Sequence, residues 1–195
     1  MKPSPERRLQ EQELVERARA GDEAAWVELV HQHQEAMFRL AYLHLADADD
    51  AQDAAQDALI RAHKYLARFD AERPLRPWLL SIVANLARNR KRGMGRYWNA
   101  LARWKQDRPA ALSEAQAFKE MGAGSHAIWQ ALQRLPHKDQ TVIYLRYFLE
   151  LSIEESAQAL EIAAGTVKSR ASRAVARLKD VIEAQYPELK EWIDE

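Results

Sequence analysis

Apolar positions along this chain recur at three- and four-residue steps almost throughout, and strand-like alternation is hard to find. Residues 9–20 read as a first helix stopped near Gly21. Asp22 is placed to cap the next, with Trp26, Val27, Leu29 and Val30 on its apolar side and Met37, Leu40, Ala41 and Leu43 continuing the pattern to about Ala46. A third helix, expected to reach about Arg68, buries Ala51, Ala55, Ala58, Leu59, Ala62, Leu66 and Phe69. The loop FDAERPLRP follows, restricted by Pro74 and Pro77, and Pro77 suits the first turn of a fourth helix. That helix turns Trp78, Leu79, Ile82, Val83 and Leu86 inward, and Gly93 and Gly95 are expected to break it. Residues 96–124 read as a linker with weak helical pieces and an amphipathic patch at Trp98, Leu101 and Trp104, closed by a second break at residues 121–124.

Beyond the linker come apolar stripes at Ile128, Leu132 and Leu135, ended by Pro136, and at Val142, Leu145, Phe148 and Leu149. They lead into LSIEESAQALEIAAGTVKSRASRAVARL, two helices across a tight turn. Ser152 and Glu155 have the spacing of a capping box, and Ile153, Ala157 and Leu160 make a narrow apolar stripe. After the turn at residues 161–165, Thr166 opens the second helix, with Val167, Ala171, Ala174 and Leu178 along one face. The other face carries Lys168, Ser169, Ser172 and Arg173, with Arg170 and Arg177 at its edges, and no acid intervenes between Ile162 and Lys179. Such a layout suits a helix-turn-helix whose second helix enters a major groove, where amines and guanidinium groups meet phosphates and base edges. A merely solvated basic face is the plainer alternative, and the capped first helix and small turn residues weigh against it.

Composition changes this picture in two ways. The 29 basic and 29 acidic residues cancel, so a nucleic-acid binder of this make-up must segregate its charge. It does so. Asp50, Asp53 and Asp57 share one helical face as an acidic stripe, while Arg88 begins a second basic run through Arg90, Lys91, Arg92, Arg96, Arg103, Lys105 and Arg108. Carboxylates near a helix start also offset the macrodipole, a sufficient structural reason for the stripe. Cysteine is absent, which excludes disulfides and thiolate zinc sites and permits a cytoplasmic setting. The first residues carry no apolar core of the signal-peptide kind, and no apolar run approaches the roughly 20 residues of a membrane span. His31 and His33 beside Glu28 and Glu35 are a poor metal site, because residues two apart point to different sides of a helix.

Read in order, DAQDAAQDALIRAHKYLARF, RPWLLSIVANLARNRKR and LPHKDQTVIYLRYFLELSIEESAQALEIAAGTVKSRASRAVARLK resemble the extracytoplasmic-function (ECF) sigma factors, bacterial transcription initiation factors. The resemblance covers nearly the whole chain. It implies an all-α fold of two small helical domains: sigma domain 2 over residues 1–95, a flexible linker over 96–124, helix-turn-helix sigma domain 4 over 125–186 and an acidic tail over 187–195. It implies that Asp50, Asp53 and Asp57 lie on the helix that grips the clamp coiled coil of the largest subunit of core RNA polymerase. Arg61, Tyr65, Phe69, Ile82 and Asn85 stand where the family holds one base flipped from the minus-ten element, and an extruded base needs an apolar wall and a polar reader. Plain core packing is an equal account of Tyr65, Phe69 and Ile82. Arg88, Asn89 and Arg92 would hold minus-ten backbone or bases. Thr166, Lys168, Ser169, Arg170, Ser172 and Arg173 would meet the minus-thirty-five element of promoter DNA. The linker would thread the polymerase channels, and an anti-sigma factor is a possible partner, as for many relatives. No cofactor and no catalysis are implied. Glu161 departs from the glycine usual at the helix–helix turn, FDAERPLRPW is more proline-rich and basic than in relatives, and Ala171 is small. The alternatives are a helix-turn-helix regulator with a helical sensor domain, or a sigma mimic that binds no DNA.

Overall fold

The computed structural model describes the backbone of residues 5–102 and 123–186 and the side chains of residues 6–93 and 127–186. It is all-helical among the described residues. Helix α1 is Pro5–Arg19, α2 Glu23–Leu45, α3 Ala48–Tyr65 and α4 Leu75–Ala102; α5 is Ala123–Gln133, α6 His137–Ile143, α7 Ile153–Leu160 and α8 Ala164–Gln185.

Local chemistry sets most of the boundaries. Asp22 accepts from the Ala25 amide at 3.1 Å and Asp47 from the Asp50 amide at 2.9 Å, so each satisfies a donor that its helix leaves free. Between α2 and α3 the chain reverses at Ala46, left-handed at φ 60°. The α3 helix tightens into a 3₁₀ turn at Leu66–Arg68, and Phe69 then packs on Trp78 with ring centroids 4.7 Å apart. Glu11 of α1 ties three helices: it accepts from the Leu75 amide at the start of α4 at 3.2 Å and stands 3.0 Å from His33 Nε2 of α2. His33 is therefore buried while His31 is exposed, the two-sided placement that their spacing predicts. Val27, expected on the apolar side of α2, is half exposed.

The expected break at Gly93 and Gly95 does not occur, since α4 continues to Ala102. A helical glycine costs only about 1 kcal/mol against alanine, and the arginines, lysine and alanines around these two are good helix formers. Nor does Gly124 end a segment; it lies in the first turn of α5. The expected linker patch around Trp98, Leu101 and Trp104 has its side chains outside the described residues, as does the acidic tail.

In the second half, Gln140 is buried and its side-chain amide reaches the Leu132, Gln133 and Leu135 carbonyls at 3.0, 3.1 and 3.0 Å, closing the C-terminal end of α5. Helix α6 widens into a π turn at Tyr144–Phe148. Ser152 and Glu155 form the expected capping box, with both bonds present at 3.1 and 2.8 Å. The α7–α8 turn is a Schellman arrangement, in which the Glu161 amide donates to Gln158 O and the Ile162 amide to Ala157 O.

The two halves pack together through one continuous apolar core. Polar contacts seal its margin. Arg39 and Arg76 donate to the Phe148 and Leu149 carbonyls at 3.5 and 3.0 Å, Lys91 to Gln133 at 2.8 Å, and Gln133 to Leu43 O at 3.3 Å.

Candidate nucleic-acid interface

Helix α8 turns Val167, Ala171 and Ala174 inward, all buried, which leaves Lys168, Ser169, Ser172 and Arg173 exposed and Thr166 and Arg170 half-buried. Its first turn holds no acid, and Ala163, at the N-cap, makes no side-chain cap. Free amides and the positive end of the helix thus accompany the basic face. Exposed Ala163, Ala164 and Gly165 keep that end low enough for a phosphate backbone to approach. Arg173 rests along the helix, its Nε donating to Ser169 O at 3.1 Å, while Ser169 Oγ donates to Thr166 O at 3.2 Å. Arg177, at the edge of the expected face, is taken up internally by an ion pair with the buried carboxylate of Asp139.

On α4, Asn85, Arg88, Asn89 and Arg92 are exposed on one side, with Arg88 donating to Asn85 Oδ1 at 2.8 Å. Arg61 and Tyr65 are also exposed. Ile82 is half-buried and Phe69 is buried, both packing against the core. Phe69 and Trp78 nonetheless line a cleft of about 630 Å³ whose opposite wall is Gln158, Glu161 and Ile162 of the helix-turn-helix. Arg61, Tyr65 and Asn85 face solvent, while Ile82 and Phe69 sit at the packed side.

The acidic stripe is not free. Arg90 of α4 lies across it, with Nη2 2.8 Å from Asp57 and Nη1 3.8 and 3.7 Å from Asp50 and Asp53, and it also donates to Asp50 O at 3.2 Å. One guanidinium thereby offsets the repulsion of three carboxylates on one helical face and leaves a residual negative charge outward. Sequence patterns give no sign of this pairing, because a cross-helix partner obeys no spacing rule.

Family models for Sigma-70 region 2 and Sigma-70 region 4 match residues 29–97 and 125–178. The chain is 32% identical over 168 residues to ECF RNA polymerase sigma factor SigW of Bacillus subtilis, covering 82% of this chain and 89% of that protein. This chain belongs to the ECF sigma factors. It is also 32% identical over 184 residues to the RNA polymerase sigma-H factor of Pseudomonas aeruginosa, covering 85% and 90% of the two chains. Two solved structures share its fold. CnrH in complex with the cytosolic domain of CnrY has a TM-score of 0.67 at 27% identity, covering 90% of this chain and 99% of that one. The sigma factor RpoE from Bartonella quintana, bound to the anti-sigma factor NepR, has a TM-score of 0.62 at 26% identity, covering 81% and 96%. No helix among the described residues of this ECF sigma factor is long and apolar enough to cross a membrane.

Proposed function

We propose that this chain is an alternative sigma factor that binds core RNA polymerase, recognises promoter DNA and starts transcription in the cytoplasm, with no catalysis of its own. The observation that carries the reading is the acid-free, outward-facing basic side of α8, joined in one chain to a second exposed cationic side on α4. Lys168, Ser169, Ser172 and Arg173 read the minus-thirty-five element, flanked by Thr166 and Arg170. Asn85, Arg88, Asn89 and Arg92 bind the minus-ten region, with Arg61 and Tyr65 at the captured base and Phe69 and Ile82 backing it. Asp50, Asp53 and Asp57, aligned by Arg90, dock on the polymerase clamp. Residues 1–95 and 125–186 act as the two working domains, residues 96–124 as the tether between them and residues 187–195 as an acidic tail.

The closed packing of the halves bears on this reading. Promoter elements named for minus ten and minus thirty-five are separated by about 25 base pairs, roughly 85 Å of duplex at 3.4 Å per step. Helix α4 with 28 residues spans only about 42 Å, and it packs directly against α7. The halves must part before both elements are met at once. An anti-sigma factor that holds them together is the partner suited to the closed form, by analogy with the complex of RpoE and NepR.

Reconstitution with bacterial core polymerase on candidate promoters tests the proposal, and failure to bind that enzyme or to start RNA on any template refutes it. Arg173→Ala is expected to weaken promoter binding by about 1–3 kcal/mol, read by fluorescence anisotropy. Asp53→Arg with Asp57→Arg is expected to cut core affinity in a pull-down while circular dichroism stays unchanged. Undiminished core binding rejects the stripe as the docking surface.

A further inference from the structure

At the seam between the halves lie two histidines that polymerase and DNA contact leave unexplained. His44 ends α2 and is 1% exposed; His137 opens α6 and is half-buried. Their rings stack with centroids 4.5 Å apart and planes 11° from parallel. Thr141 lies between them. Its hydroxyl donates to the His137 carbonyl at 2.8 Å, so its oxygen is left to accept from His44 Nε2 at 3.4 Å and His137 Nδ1 at 3.3 Å. That arrangement assigns the proton of each neutral ring. The remaining nitrogens, His44 Nδ1 and His137 Nε2, are buried without a partner. A neutral ring tolerates this, since the bare nitrogen is only an unused acceptor. An imidazolium does not, because both of its N–H groups need acceptors.

The surroundings reinforce the point. From α4, Lys91 acts on both rings and Arg88 and Arg92 on His137, all cations. Tyr144, at the start of the π turn after α6, meets His44 edge-on at 5.0 Å, and its hydroxyl accepts from Gln133 of α5 at 3.0 Å. Asp139, two residues from His137, is occupied by Arg177. The other seals of the seam, from Arg39 and Arg76 to main-chain carbonyls, involve no group that titrates near neutrality.

We propose that the His44–His137 stack is a proton-released latch: neutral rings hold the two halves closed, and protonation parts them at this end. Burial, then the neighbouring charges, holds both rings below the ordinary histidine range, His137 to about 4. A histidine lowered in the closed form favours that form above about 6.5 and opposes it as pH falls below. Between pH 7.5 and 5 one such ring favours opening by about 30-fold, and by about tenfold once solvent screening of half-buried His137 is allowed for. This inference concerns the chain's own conformation and stands apart from its role at a promoter.

The chain has no cysteine, so Ile60→Cys and Val175→Cys, at exposed positions on α3 and α8, place two spin labels cleanly. Pulsed-dipolar distances are expected to form one narrow distribution at pH 7.5 and to gain a longer component at pH 5, with helical circular dichroism unchanged. With His137→Gln added, the longer component at pH 5 is expected to shrink, because only His44 is left to oppose closure. In parallel, NMR titration of the imidazoles is expected to place both rings below the free histidine value in the closed protein. The latch is overturned by distances that do not respond to pH, by a longer component that His137→Gln leaves undiminished at pH 5, by opening that coincides with loss of helix, or by either ring titrating at or above the free value while closed.

Discussion

Glu161 stores backbone strain where the recognition helix is aimed. Its φ of 55° and ψ of 42° put a residue with a Cβ in the left-handed region, at a cost of about 1–2 kcal/mol. The Schellman bonds from Glu161 and Ile162 to Gln158 and Ala157 hold it there, and Ile162 and Ala157 both pack against the core on the two sides of the turn. Replacing it by glycine removes the Cβ penalty but gives the unfolded chain more freedom, worth about 0.5–1 kcal/mol the other way. The carboxylate itself sits between the negative end of α7 and the positive end of α8, so its dipole interactions largely cancel. Glu161→Gly is therefore expected to stabilise the protein by about 1 kcal/mol relative to Glu161→Ala, which loses the same charge yet keeps the strained backbone.

Thermal unfolding followed at 222 nm measures the difference. For a chain of this length about 1 kcal/mol corresponds to a rise of roughly 2–4 °C in Tm. The comparison between glycine and alanine matters more than either against the parent, because it isolates the backbone from the side chain. Equal melting temperatures for the two variants refute the assignment of strain to this residue. A lower value for glycine refutes it more strongly, since it means that the turn relies on reduced unfolded-state freedom.

Two further outcomes follow from buried polar groups. Gln140→Leu strips the donor from the Leu132, Gln133 and Leu135 carbonyls and is expected to cost about 1–3 kcal/mol in urea unfolding, whereas the exposed neighbour Lys138→Leu is expected to cost little. For Glu11, burial alone raises the pKa, but the His33 hydrogen bond and charge, the Leu75 amide and Arg7 together outweigh it and hold the carboxyl below 4.5. Its contribution is thus complete above 4.5 and is lost as pH falls through the lower folded value. Glu11→Gln is expected to cost about 1.5–3 kcal/mol at pH 7, with the gap to the parent narrowing at pH 3.5; an equal gap at both pH values contradicts the sign.

Elements governed by local chemistry were legible in the sequence, and those governed by distant partners were not. The Ser152–Glu155 box and the Asp22 cap follow from residues within a few positions of one another, and both are present, whereas Glu161 adopts the left-handed conformation where its side chain gives no such signal. The buried stripe of α8 followed from period alone. Gly93 misled because the helix penalty of one glycine is smaller than the summed preference of its neighbours. The widening of α6 into a π turn, and the stacking of His44 on a residue 93 positions later, have no local signature. Phe69 and Ile82 fit a base-pocket pattern and a core pattern equally well by composition, and the packing shows how far they belong to the second.

The distribution of arginine carries the same lesson into function. A count of basic residues treats every guanidinium as available to DNA. Here Arg90 spans three aspartates, Arg177 holds Asp139, and Arg39 and Arg76 bind carbonyls across the seam between the halves. Arginine suits these duties because its planar fork reaches several acceptors at once and never loses its charge near neutrality. Lys168 and Arg173 on α8 and Arg88 and Arg92 on α4 are among the cations left exposed on the two proposed DNA faces. With 29 charges of each sign, the two cationic faces depend on where the acids lie: none falls between Ile162 and Lys179, and Arg90 draws Asp50, Asp53 and Asp57 together on α3. The same economy explains why the seam is guarded by main-chain acceptors and neutral rings instead of carboxylates. A carboxylate beside Lys91 and Arg88 would attract both cations at every pH near neutrality, whereas an imidazole is neutral there and changes charge on taking a proton.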